Sequence, residues 1–171
     1  MATTCRCYVH RATRFAEGES MRPEFSGIER RLDELSERLA RLEPLRARGR
    51  ADFDGDPYLR DIVERNLEVA AQCVIDIAHR IIALEKAAKP RDYYEAILRL
   101  GELGVLSPDF ARSLSPLAGF RNILVHEYTA IDWDEVYRNL QNAGDLVRFS
   151  GLVSRWLRQR VGQAKKEAGD R

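Results

Sequence analysis

The chain has 171 residues, the size of one domain, and a formal charge of +1 from 28 Lys+Arg against 27 Asp+Glu. Hydrophobic residues make up 44% and charged residues 32%, a globular rather than a disordered mix, and no apolar run approaches the roughly 20 residues that span a bilayer. A polyanion would therefore have to bind at a local patch, and with 24 of the basic residues Arg, one arginine alone carries little functional weight.

Residues 1–20 show neither helical periodicity nor the continuous apolar stretch of a secretory signal. They read as a disordered leader, with Met21 as an alternative start. Cys5, Cys7 and Cys73 are an odd, sparse set that makes a poor disulfide framework and fits a reducing cytoplasm. Cys5, Cys7 and His10 match no common zinc spacing and lack a fourth ligand, so neither metal nor cofactor is expected.

From Ile28 onward the pattern is helical. Ile28, Leu32, Leu35, Leu39 and Leu42 share one face of a first helix, which Pro44 is expected to end. The stretch Gly49 to Gly55 reads as a polar loop. Asp56-Pro57 supplies an N-cap and a first-turn proline for a long helix, whose apolar spacing from Leu59 to Leu84 predicts continuation to Pro90. Asp92-x-x-Glu95 opens a short helix through Leu103, closed by Gly101 and Gly104. Ser107-Pro108 caps the next, which runs towards His126 with a kink or restart at Ser115-Pro116. Asp132-x-x-Glu135 starts a last helix through about Arg160, locally weakened by Gly144 and Gly151. The predicted architecture is all-α, an up-and-down bundle of about five helices over residues 21–160. Residues 161–171 form a polar basic tail. From Asp145 onward seven Lys/Arg stand against three Asp/Glu, which reads as a solvated helix end or as a phosphate-contacting edge.

The chemistry is concentrated in Gly119-Phe120-Arg121-Asn122-Ile123-Leu124-Val125-His126-Glu127-Tyr128. Five polar or charged side chains crowd around three consecutive apolar residues at a helix end. Asn122 and His126 are four apart and share a face. Arg121 and His126 are five apart, roughly 140° around the axis at 100° per residue. They converge on one ligand only if Arg121 bends over the helix edge or a second copy of the helix contributes. The bland alternative is a capping histidine, an Arg–Glu surface pair and a tyrosine plugging a loop.

The segment resembles the motif of the HEPN superfamily, and more narrowly that of the HepT-like toxins: Arg, four residues, His, any residue, Tyr. Arg121, His126 and Tyr128 fill those positions without a gap. The stretch Arg65 to Ala78 is similar to the family's long second helix, Tyr94 to Leu106 to its third helix and turn, and Phe120 to Tyr128 with Ile131-Asp132 to the end of its fourth. The resemblance covers about Ile28 to Phe149.

That resemblance implies a metal-independent ribonuclease toxin acting on tRNA or mRNA in the cytoplasm as a homodimer with facing motifs, and no membrane partner. It also implies a nucleotidyltransferase (MNT-type) antitoxin that transfers AMP from ATP onto Tyr128. Cleaving RNA without metal requires a base for the 2′-OH, an acid for the leaving 5′-oxygen and positive charge on the phosphorane. Histidine serves as base or acid near neutrality, so two protomers would supply both roles from two copies of His126, with Arg121 on the phosphate. Asn122 would orient His126 or bind the phosphate. From their spacing, Asp76 and His79, three apart on the long helix, read either as a polar pair that supports the site, with the Asp76 carboxylate orienting His126, or as a polar pair satisfied by its neighbours. Two alternatives remain open from the residues: a non-catalytic nucleotide- or RNA-binding HEPN module, and a purely structural dimerisation bundle.

Overall fold

Helices make up every regular element among the described residues, in the order α1 (Pro23–Arg46), α2 (Arg50–Gly55), α3 (Pro57–Leu84), α4 (Tyr93–Glu102), α5 (Pro108–Leu114), α6 (Leu117–His126), α7 (Trp133–Gln141) and α8 (Gly144–Gly169). The computed structural model describes the backbone of residues 23–126 and 131–169, and the side chains of residues 25–125 and 131–163. The expected leader, the Cys5, Cys7 and His10 set, and Tyr128 lie outside those residues.

Two apolar clusters organise the bundle. The larger joins α1, α3, α4, α5 and α8 through Ile28, Leu32, Leu35, Val74, Ile77, Ile81, Ile97, Leu100, Phe110, Phe149 and Val153. The smaller lies at one end, where Leu42 of α1, Phe53 of α2, Leu59, Val63 and Leu67 of α3, Phe120 and Leu124 of α6, and Val136 and Leu140 of α7 meet. The long α3 belongs to both.

The caps read from sequence are present. Asp56 accepts from the Leu59 N–H at 3.2 Å, Asp92 from Glu95 at 2.7 Å, and Asp132 from Asp134 at 2.9 Å. Four boundaries differ from expectation. Helix α1 runs through Pro44 to Arg46, because Pro44 and Ala40 are both exposed and the carbonyl that loses its partner faces water. Gln141 also donates to the Arg46 carbonyl at 3.4 Å, satisfying an acceptor at the end of α1. The predicted loop at Gly49 to Gly55 contains the short helix α2, held by the burial of Phe53 against Trp133 and Tyr137.

Helix α3 stops at Leu84 rather than Pro90. Ala87 donates to the Ile82 carbonyl at 3.1 Å and Lys86 to Ala83 at 3.2 Å, with Lys86 left-handed at φ 51°. This is the six-to-one closure usually made by glycine. Finally, the single last helix is two, and the second runs to Gly169 rather than ending near Arg160. The chain breaks between Gln141 and Gly144, turning the apolar face from the smaller cluster (Val136, Leu140) to the larger one (Leu146, Phe149, Val153, Leu157). At Ser115-Pro116 the helix restarts rather than kinks. No described helix is long and apolar enough to cross a membrane.

Candidate functional site

Helix α6 carries Arg121, Asn122 and His126, and its rotation is set by burial. Phe120 and Leu124 are four apart and both point into the smaller cluster, leaving Asn122 exposed and Arg121 half-buried. His126 is the last residue of α6.

Three groups surround Arg121. Its Nε donates to Gln72 Oε1 at 2.8 Å, its Nη1 makes a long contact of 3.4 Å to Asn122 Oδ1, and its guanidinium carbon stands 5.7 Å from the centre of the Tyr93 ring. All three are uncharged. Among the described residues no carboxylate pairs with Arg121. Several other arginines do pair with carboxylates: Arg31 with Glu34 and Asp76, Arg65 with Glu68, and Arg99 with Glu95 and Glu102. Arg121 is thus held by an amide and a ring with no carboxylate against it among the described residues, as Arg60 and Arg148 are held over Trp133 and Phe110; what distinguishes Arg121 is its place on the helix that ends at His126.

Behind Arg121 a hydrogen-bonded chain crosses the bundle. Gln72 Nε2 donates to Asp76 Oδ1 at 2.7 Å, and Asp76 Oδ2 accepts from Arg31 Nε at 2.9 Å. The bond to Glu34 raises the Arg31 pKa above its ordinary value against the cost of burial, and Asp76 adds to the rise. Asp76 therefore reaches α6 through Gln72. His79 does not pair with Asp76; its ring stands edge-on to Tyr93 with centres 5.8 Å apart. Cys73, beside Gln72 in sequence, is buried, and that burial first, with the Glu34 charge second, pushes its thiol up to about 12. It stays protonated and offers no nucleophile. Among the described residues no three His, Cys, Asp or Glu side chains stand together as a metal site.

The sequence picked out Arg121, Asn122 and Asp76, which the structure brings to one region, but missed Gln72, Tyr93 and Arg31. The available signal was Gln72 four residues before Asp76 in the otherwise apolar stretch Val69 to Ala78, a spacing that puts two polar groups on one face.

Residues 28–151 match the family model described as Ribonuclease HepT-like. The chain belongs to the HepT-like ribonuclease family. The match extends two residues beyond the Ile28 to Phe149 stretch read from the sequence, and the all-helical bundle is the fold of these HEPN proteins. The tRNA nuclease HepT of Aphanizomenon flos-aquae is 34% identical over 110 residues, covering 64% of this chain and 75% of that protein. The mRNA nuclease HepT of Shewanella oneidensis is 27% identical over 92 residues, covering 54% and 69%. Among solved structures, the tri-AMPylated Shewanella oneidensis HEPN toxin in complex with MNT antitoxin has a TM-score of 0.68 at 23% identity, covering 78% of this HepT-like chain and 98% of that one. YutE of Bacillus subtilis has a TM-score of 0.69 at 21% identity, covering 80% and 92%.

Proposed function

We propose that this protein is the ribonuclease toxin of a toxin–antitoxin pair, cutting RNA in the cytoplasm without metal, as a homodimer with Arg121 and His126 of both protomers in one cleft. The observation that carries the reading is Arg121 itself, on the helix that ends at His126, held by neutral partners and with no carboxylate against it among the described residues. A guanidinium already paired with carboxylate would have little field left for a phosphate. One held by an amide and a ring keeps its full charge for the phosphorane. In this reading one His126 removes the 2′-OH proton and the other protonates the 5′-oxygen. Asn122, exposed beside Arg121, contacts the phosphate or orients His126.

Support for a homodimer comes from the outer face of α3. Tyr58 and Ile62, four apart, are 80% and 51% exposed. The same stripe continues through Arg65 and Val69 to Gln72 at alternating spacings of three and four, the pattern of a helix–helix seam. It leads from an apolar patch directly to the residue that touches Arg121. Control is assigned to a nucleotidyltransferase antitoxin. The Tyr128 oxygen attacks the α-phosphorus of ATP, pyrophosphate leaves, and the resulting phosphodiester competes with RNA for Arg121.

The test is cleavage of labelled tRNA and mRNA by the purified protein. Wild type is expected to cut in EDTA and leave cyclic-phosphate or 3′-phosphate ends. His126→Ala and Arg121→Ala should each lose at least about 100-fold with helicity unchanged. RNA bound but never cut would favour the non-catalytic module instead, and activity lost in EDTA but restored by Mg²⁺ would overturn the metal-free step.

A further inference from the structure

The hydrogen-bonded chain behind Arg121 has a direction, and we infer that Gln72 is the positioning residue that aims the Arg121 guanidinium, with Asp76 and Arg31 acting on Arg121 through it. The functional consequence rests on the ribonuclease reading of Arg121; the aiming itself rests on geometry alone.

The Gln72 amide can take only one orientation. Its Nε2 stands 2.7 Å from the Asp76 carboxylate and its Oε1 stands 2.8 Å from Arg121 Nε. A flipped amide would set oxygen against carboxylate and N–H against guanidinium, two repulsive contacts in place of two bonds. Asp76 is itself anchored by Arg31 on α1 at 2.9 Å, so the amide is clamped from behind. Three helices thereby fix one bond. That bond is to Nε, the inner nitrogen, so it fixes the plane of the guanidinium while the terminal nitrogens stay at the outer end of the fork, where bidentate contact with a phosphate is made. The Tyr93 ring, 5.7 Å from the guanidinium carbon, limits movement on another side.

The choice of an amide matters. A carboxylate at position 72 would cancel the charge of Arg121 and set a second carboxylate against Asp76. A glutamine holds it and transmits the anchoring of Asp76 without placing a negative group against the guanidinium. The ionic part of the network thus stays between Arg31, Glu34 and Asp76, one residue removed from the site.

The inference is tested in two readouts on the full-length protein. In nitrogen-15 NMR spectra the Arg121 Nε–H signal, identified by its loss in Arg121→Lys, should exchange with water at least about tenfold more slowly than signals of exposed arginines. Gln72→Met, close in shape but without an acceptor, should abolish that protection while circular dichroism and the melting temperature hold. Asp76→Asn should weaken it without abolishing it. In RNA cleavage, Gln72→Met should lower kcat about 10- to 100-fold with KM within twofold. It should add nothing further in an Arg121→Lys background, because it acts through the lost guanidinium. Gln72→Glu should lose activity, since the charge is cancelled and the bond to Asp76 is replaced by a repulsive contact. Unchanged Nε–H protection in Gln72→Met overturns the aiming role. Unchanged kcat in that variant, or an effect that adds fully to Arg121→Lys, overturns its functional part. A wild-type protein that cuts no RNA would sink the ribonuclease reading, and the NMR arm would still decide the aiming.

Discussion

Lys86 and Gly104 occupy the same position in the same kind of helix ending, and only one of them is the residue that the geometry prefers. After α4, Val105 donates to Leu100 at 3.0 Å and Gly104 to Gly101 at 3.2 Å, with Gly104 at φ 71°. After α3 the same pair of bonds is made around Lys86 at φ 51°. A side chain in the left-handed region crowds its own carbonyl, at roughly 1 kcal/mol. Lys86→Gly should therefore stabilise the protein by about 0.5–1 kcal/mol, a rise of about 1–4 °C in melting temperature. Gly104→Ala should lower stability by a similar amount. Thermal melts of the two variants check both signs, and a destabilised Lys86→Gly would show that the lysine side chain contributes more than its backbone conformation costs.

Helix α2 shows how a short element can depend on one side chain. Six residues are too few to form a helix in isolation, and its N-cap Gly49 offers no side-chain acceptor. What holds it is Phe53, 1% exposed, with its ring centre 5.2 Å from that of Tyr137 and 6.3 Å from that of Trp133. Arg50 adds an ion pair to Asp134 and stands 5.2 Å from the Tyr137 ring. Phe53→Ala should cost about 3–4 kcal/mol in denaturant unfolding, as for a core phenylalanine. In a solvent-exposed loop the same change would stay within about 0.5 kcal/mol. Because Phe120 and Leu124 share the cluster, the variant should also loosen α6 and reduce cleavage before the protein unfolds globally. Asp132→Ala, which removes the cap accepting from Asp134 and Glu135, should cost about 1 kcal/mol.

At the scale of the whole molecule, the motif helix is braced on two sides: by the smaller cluster beneath Phe120 and Leu124, and by Gln72 on α3. The apolar stripe of α3 lies outside both clusters at Tyr58 and Ile62. If it is the seam between protomers, Ile62→Arg should turn a dimer into a monomer in light scattering at micromolar concentration. Cleavage should fall with it, because each site then lacks the second His126. A variant that stays dimeric and fully active would place the seam elsewhere. Co-expression with a partner nucleotidyltransferase gives a separate reading. AMP-sized mass additions are expected on the wild type and not on Tyr128→Phe, which should remain toxic in the presence of the antitoxin. Additions that persist on Tyr128→Phe would assign the acceptor to another residue.

The all-helical class, the starts of α3, α4, α5 and α7, and the candidate motif were legible in the sequence because each is written locally. Apolar spacing reports a helix face, an Asp or Ser before Pro or three residues before Glu reports a start, and Arg121 to Tyr128 is contiguous. Endings were less legible. Lys86 carries no glycine signal, Phe53 is a single apolar residue in a polar stretch, and the break at Asn142 exists because successive faces serve different clusters. Each of those outcomes depends on what another helix presents. The same holds for Arg121. The motif names it, but its neutral surroundings come from Gln72, 49 residues earlier, and from Tyr93 on α4. Which of the chain's many arginines keeps its charge for a ligand is decided by packing between α1, α3, α4 and α6, and spacing along the chain carries no record of it.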